Sequence, residues 1–293
     1  MYETITLMNL FDWFPYSLIS VSALGVAIAL YKLPSIKAQS NVATSLWMNL
    51  LSAIYAIVFF GRNISLITSQ SIIVGVIWGV GFASISALQM KALKKVELNT
   101  LFPVVTTLSL VFSAIIGLTV FNESISTLQE IGILIVACSV YLFLFKGLKF
   151  SYPVGVIGIG AVILVLSVVN KAVLKVGADN VDIESLQIIQ YSAASISAFI
   201  FLLLRDGRKK AIKLLKTEGF KSGLLISVPS FMGGYALLVA LTKGPFILVQ
   251  SIHSMYIFIV AAIGYFFFKE SLNRRKLTAI LLAVVSLVLI RIG

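Results

Sequence analysis

The sequence predicts an all-α membrane protein, with ten transmembrane helices in two inverted five-helix repeats. Two observations predict it. The chain of 293 residues is 59% apolar and only 12% charged, with a mean hydropathy of +1.06, well outside the balance of a soluble domain. Apolar runs of about 18 to 24 residues recur along its length, each able to cross a hydrocarbon core of roughly 30 Å as a helix. The second observation is an internal repeat. Phe121-Asn122-Glu123-Ser124-Ile125 returns, shifted by 147 residues, as Phe268-Lys269-Glu270-Ser271-Leu272. In the runs before the motif, Leu101, Ala114, Ile116 and Gly117 fall on Leu248, Ala261, Ile263 and Gly264. In the runs after it, Ile133, Ser139 and Leu142 fall on Ile280, Ser286 and Leu289. A repeat of this length makes the chain two copies of one design, residues 1–150 and 151–293.

In order, the spans are expected near 14–34, 42–60, 71–91, 98–121, 125–145, 153–174, 183–204, 222–242, 245–268 and 274–292. Most connections are short and polar: Lys91 to Glu97, Asn122 to Ser124, Lys146 to Tyr152 and Lys269 to Asn273. The long one, Arg205 to Lys221, alternates Ile212, Leu214 and Leu215 with Lys209, Lys210, Lys213 and Lys216. Two readings stand for it: an amphipathic helix on an anionic leaflet or a solvated basic linker. The repeat pairs span four with nine and five with ten. Because five is odd, the second copy enters the membrane from the opposite side, the inverted-topology arrangement of many secondary transporters. Ala92-Leu93 and Lys95 align with Ala240-Leu241 and Lys243 in support, as Tyr31-Lys32 does with Asn170-Lys171.

These features resemble the drug/metabolite transporter superfamily in its ten-helix, EamA-like form. The residues that carry the resemblance are the Ala-Leu-Lys-Lys turn at 92–95, Pro103, Gly132 and the turns bearing Glu123 and Glu270. The pattern departs in three places. Asn122 and Lys269 stand where a glycine is common before the glutamate, and Gln250 replaces the proline early in span nine. The resemblance implies a metabolite transporter with a central cavity lined by spans one, three, four, six, eight and nine.

Cations fix the expected orientation. Eighteen of the 23 Lys and Arg lie in loops 1–2, 3–4, 5–6, 7–8 and 9–10. The positive-inside rule puts those loops in the cytoplasm and both termini outside the plasma membrane, opposite to the orientation usual among the proteins it resembles. The start, Met1-Tyr2-Glu3-Thr4, has no basic n-region of a cleavable signal. One cysteine, Cys138, in an apolar run provides neither a disulfide framework nor a thiolate metal cluster.

An enzyme would need paired carboxylates, a nucleophile with its base, or a metal cluster. All eleven acidic residues lie in loops or near helix ends, and the single His and Cys are on different spans. Neither catalysis, a metal nor a cofactor is expected. The same lack of an intramembrane carboxylate favours uniport or exchange over carboxylate-driven antiport, His253 being the one group that titrates near neutrality when unperturbed.

Candidate substrate contacts are the polar groups that lipid would force inward. Gln250, His253 and Ser254 share a face of span nine, matched by Thr106 and Thr107 on span four. Interhelical hydrogen bonding is the competing reading. Ser227, Ser230 and Phe231 on span eight form a second stripe beside Gly234, and Gly75 with Gly79 has the GxxxG spacing of close helix packing. Trp78, Phe82, Phe231 and Tyr256 can cap an organic substrate or simply fill the core. Lys32 and Lys171, one per half, either flank the two mouths of a pathway for an anion or snorkel to the interfaces; Asn170 lies beside the second. The Glu-Ser turns are expected to cap the span that follows each. The function expected is transport of a small polar organic metabolite such as an amino acid. The alternatives are exchange of sugar phosphates or nucleotide sugars through Lys32 and Lys171, or a channel-like or lipid-handling role. Expected partners are the small-molecule substrate, membrane lipids and, through spans five and ten, a second copy of the chain; nucleic acid is not expected.

Overall fold

The computed structural model describes residues 2–95, 98–144, 154–269 and 274–293, and these are helical almost throughout. In chain order the helices are α1 (Tyr2–Leu30), α2 (Leu33–Ile36), α3 (Asn41–Phe60), α4 (Ser69–Ala92), α5 (Leu98–Thr119), α6 (Thr127–Leu144) and α7 (Val154–Asn180). They continue with α8 (Ile183–Asp206), α9 (Arg208–Thr217), α10 (Phe220–Lys243), α11 (Phe246–His253), α12 (Tyr256–Phe268) and α13 (Arg274–Ile292). Among the described residues seven stretches are long and apolar enough to cross a membrane by length and composition: Asp12–Ile36, Asn41–Leu66, Ser69–Ala92, Gly158–Asn180, Ile183–Asp206, Phe220–Lys243 and Phe246–Phe268. Leu108–Thr119, Thr127–Ser139 and Leu277–Ile292 are shorter apolar helices. The chain is a multi-pass integral membrane protein.

Local chemistry sets the ends. Ser40 caps α3 by accepting from the Ala43 N–H, Thr68 and Ser71 form a capping box on α4, and Asp182 accepts from the Ser185 N–H at α8. Gly207 and Gly219 take φ of +71° and +82° on either side of α9. The long basic connection is thus a helix. Its Ala211 is buried, the Leu215 carbonyl accepts from Trp47 Nε1 at 3.2 Å, and Lys209, Lys213 and Lys216 face outward.

The first expected span holds as the crossing stretch Asp12–Ile36, its helix α1 beginning earlier, at Tyr2, and turning after Leu30 through Tyr31-Lys32 into α2. Two expectations change. Span nine is broken: α11 stops at His253 and α12 starts at Tyr256, although no proline stands there. Finally, Glu123 does not cap the span that follows it. Its two carboxylate oxygens accept from the backbone N–H groups of Phe246 and Ile247, at the first turn of α11. The following span, α6, is capped by Ser126 and Gln129, whose side chains each accept from the other's backbone N–H. Glu97, Glu270, Ser271, and the connection from Lys146 to Tyr152 lie outside the described residues.

Asn122 and Lys269, standing where a glycine is common, both adopt left-handed backbone, at φ of +50° and +55°. That conformation costs a side-chain-bearing residue about 1 kcal/mol, which explains the glycine preference at this turn. Asn122→Gly and Lys269→Gly should each raise stability by about 0.5–1 kcal/mol, read as a later melting transition in detergent.

Helix α1 packs on α10 and on α11–α12, α4 on α7 and α8, α3 on α8 and α10, and α5 on α7. α6 pairs with α13, where the Gly132 backbone meets Ile290; spans five and ten therefore contact each other within one chain. Apolar residues such as Leu134, Tyr141, Leu281 and Val285 are exposed on the outside of the bundle. Inside, several hydroxyls satisfy each other or backbone carbonyls: Ser45 with Ser86 at 2.7 Å, Ser197 on the Ala193 carbonyl, Ser251 on the Ile247 carbonyl.

Candidate functional site: a central cavity

Helices α1, α4, α5, α7, α8, α10, α11 and α12 surround a central cavity of about 920 Å³, including the part open to solvent. Its wall is chemically divided. Leu24, Ile28, Ile85, Val105, Leu174 and Leu237 make an apolar lining. Trp78 and Phe82 stack at 4.5 Å and 16° between ring planes, and the Tyr191 ring stands edge-on to both. The polar part comes from Gln89 on α4, Thr106 and Ser109 on α5, Ser167, Asn170 and Lys171 on α7, Gln190 on α8, His253 and Tyr256.

Each polar group is positioned by a neighbouring element. On α7, residues 167, 170, 171 and 174 recur at helical spacing, so one face turns to the cavity. Asn170 Nδ2 donates to the Trp78 carbonyl at 3.0 Å, and Gly81 makes this approach possible, since a Cβ there would collide with the Asn170 amide. Lys171 Nζ donates to Ser109 Oγ at 2.8 Å. One turn on, Lys175 has a different environment: it pairs with Asp179 at 2.8 Å and donates to the Leu241 carbonyl. The Thr106 hydroxyl and the Tyr256 hydroxyl lie 2.7 Å apart and join α5 to α12. Tyr191 donates to the Ser230 carbonyl at 2.8 Å. Where span nine breaks, Ser254 Oγ returns to the Gln250 carbonyl, and the Met255 N–H to the Ile252 carbonyl. The break faces the cavity with His253 on one side and Tyr256 on the other, as interrupted helices do where they line a transporter's path.

Of the residues singled out by sequence, Trp78, Phe82, Thr106, Asn170, Lys171, His253 and Tyr256 line the cavity. Others do not. Gln250 is fully buried with both amide atoms lacking a partner, and Ser254 is spent on its own helix. Ser227 returns to the Leu224 carbonyl and its own carbonyl accepts from Ser52, while Ser230 contributes its carbonyl to Tyr191. Phe231 belongs to a ring cluster with Tyr55, Phe59 and Phe60. Lys32 sits 5.2 Å above the Phe268 ring, apart from the cavity wall. The Thr107 side chain lies outside the described residues. Sequence reasoning missed Tyr31, Gln89, Ser109, Ser167, Gln190 and Tyr191. The i, i+3 step from Thr106 to Ser109 was a usable signal; the two glutamines and Tyr191 had none beyond being polar in apolar runs.

The family comparison agrees with this architecture. Residues 154–292 match the EamA-like transporter family. This match, to just under half of the chain, is consistent with the drug/metabolite transporter superfamily. No curated protein matches the sequence. One solved crystal structure, described only as that of a protein, superposes with a TM-score of 0.69 at 13% identity, over 94% of this chain and 96% of that one. At that identity the likeness is one of fold alone.

Proposed function

We propose that the chain is a secondary transporter of ten spans in two inverted halves, 1–150 and 151–293, moving a small organic metabolite across the plasma membrane by alternating access. The observation that carries this reading is the cavity itself: a divided polar and aromatic wall, supplied by both halves and lined in part by a broken helix. Packing supports the inverted repeat. Gly223 follows Gly75 by the same 148 residues that separate Ala92 from Ala240. A Cβ at Gly75 would lie 2.5 Å from Ile189 of α8, the second span of the second half. A Cβ at Gly223 would lie 2.6 Å from Trp47 of α3, the second span of the first half. The two close approaches exchange the roles of the halves, as a two-fold internal repeat would have them do.

Counterflow in proteoliposomes tests transport. Labelled substrate should enter faster when unlabelled substrate is trapped inside, and uptake should saturate. Flux that rises linearly with concentration and ignores the trapped substrate would identify a channel instead. Exchange of sugar phosphates through Lys32 and Lys171 acting as a pair has less support, because only Lys171 reaches the cavity. Orientation has its own measurement: a cysteine placed after Gly293 is expected to react with an impermeant maleimide from outside the cell, and labelling from the cytoplasmic side alone would reverse the topology drawn from the charge bias.

A further inference from the structure

We infer, building on the transporter reading, that the cavity takes an organic monocarboxylate with an apolar or aromatic body and a hydrogen-bond donor, its carboxylate paired with Lys171. Charge makes the first argument. Among the described residues that line the cavity, Lys171 is the only Lys or Arg, and there is no Asp or Glu. Its Nζ donates to the neutral Ser109 hydroxyl, whereas Lys175, one turn away, already has Asp179. An ammonium enclosed within a membrane protein needs a counter-charge. Here the wall supplies none, so the loaded site becomes neutral when the substrate carries one negative charge. A zwitterion would leave the excess positive charge in place, and a dianion would reverse it.

Unpartnered atoms make the second argument. Gln190 Oε1 and His253 Nδ1 belong to cavity-lining residues only 1% and 8% exposed, and neither has a hydrogen-bond partner. Gln190 Nε2 is already donating to Gln187 Oε1 at 2.6 Å, which leaves the oxygen as an acceptor. An acceptor enclosed without a donor is costly, and a hydroxyl or N–H on the substrate would supply one. The third argument is the apolar and aromatic part of the wall. The Trp78–Phe82 stack, with Leu24, Ile28 and Leu237, forms a surface suited to a ring or branched chain.

Mandelate carries all three features and serves as the probe, with mandelamide (neutral), phenylglycine (zwitterionic) and phenyl phosphate (dianionic) as comparisons. Ligand-induced stabilisation of the purified full chain in detergent, at fixed ionic strength, measures binding. Mandelate should stabilise the protein at concentrations at least tenfold below those needed of the other three. Lys171→Met should weaken mandelate binding by about 30-fold or more, as loss of one partner of an enclosed charge pair does, while Lys171→Arg keeps the preference. Without ligand, Lys171→Met should melt no earlier than the parent protein, because an enclosed ammonium has been removed. The assignment is overturned if mandelamide or phenylglycine matches mandelate, if phenyl phosphate binds more tightly, if Lys171→Met retains mandelate, or if none of the four binds. Proteoliposomes separate the two readings. Mandelate binding without mandelate counterflow would keep the site and remove the transporter; counterflow of another compound without mandelate binding would remove only this substrate assignment.

Discussion

Gly79→Leu should cost the protein about 3 kcal/mol and weaken the joint on which one wall of the cavity is built. A Cβ at Gly79 would fall 2.7 Å from three atoms of α8: Ala193 Cβ, the Ala194 nitrogen and the Gln190 carbonyl oxygen. Two of these are backbone and cannot swing aside, so α4 and α8 would have to separate. Even alanine is too large. Gly79→Ala should therefore destabilise by about 1–2 kcal/mol, although on an unobstructed helix face the same change stabilises by nearly 1 kcal/mol. Gly160, with nothing within 4 Å of a built Cβ, supplies that control. SDS titration of the two alanine variants in mixed micelles decides the point: opposite shifts of the unfolding midpoint are expected, and equal shifts would mean that α4 and α8 do not meet at Gly79. Gln190 lies on the contact line, so the leucine variant should also lose ligand binding in the cavity.

The second large effect is expected at Glu123. Its carboxylate joins the turn after α5 to the first turn of α11, accepting from Phe246 and Ile247, two residues at most 1% exposed. Charged acceptors make hydrogen bonds of about 1.5–3 kcal/mol, and the carboxylate also complements the positive end of the helix. Glu123→Ala should lower stability by about 3 kcal/mol. Glu123→Gln, which keeps one acceptor oxygen, should lose about half as much, and Glu123→Asp should behave similarly because its shorter arm reaches one N–H. A change below about 0.5 kcal/mol in the alanine variant would show that the turn and α11 are held together by apolar packing alone. Gly117 gives an independent check: Ile247 packs so closely on it that a Cβ would overlap its side chain, so Gly117→Val should displace α11 in the same direction.

Both cases mark how far a linear reading reaches. The GxxxG spacing of Gly75 and Gly79 correctly signalled close packing, because small residues one turn apart flatten a helix whatever lies against it. Trp78, Phe82, Thr106, His253 and Tyr256 were legible as ring or polar groups in apolar runs, which lipid cannot solvate. Their neighbours were not. Periodicity gives the face of a helix but not the partner of that face, so nothing in the sequence separated Ser230, whose carbonyl is taken by Tyr191, from Ser109, which meets Lys171. Glu123 was read as a local cap because glutamate before a helix usually acts on its own first turn; its partner lies 123 residues away in sequence.

The sequence by itself determined the apolar surroundings and the helical class, since these follow from composition and run length, and its repeated motif set the expectation of a doubled chain. It marked Asn122 and Lys269 only as departures from a common glycine; the structure showed that both take left-handed backbone. Tertiary structure alone decided that Lys171 faces the cavity while Lys32 rests on Phe268, and that span nine breaks beside His253. The physical reason is one of dimension. Hydrophobicity is summed along a segment, whereas a charge or a hydrogen-bonding atom is compensated by whatever packs beside it, here Ser109 of α5 for Lys171 and the Phe268 ring of α12 for Lys32.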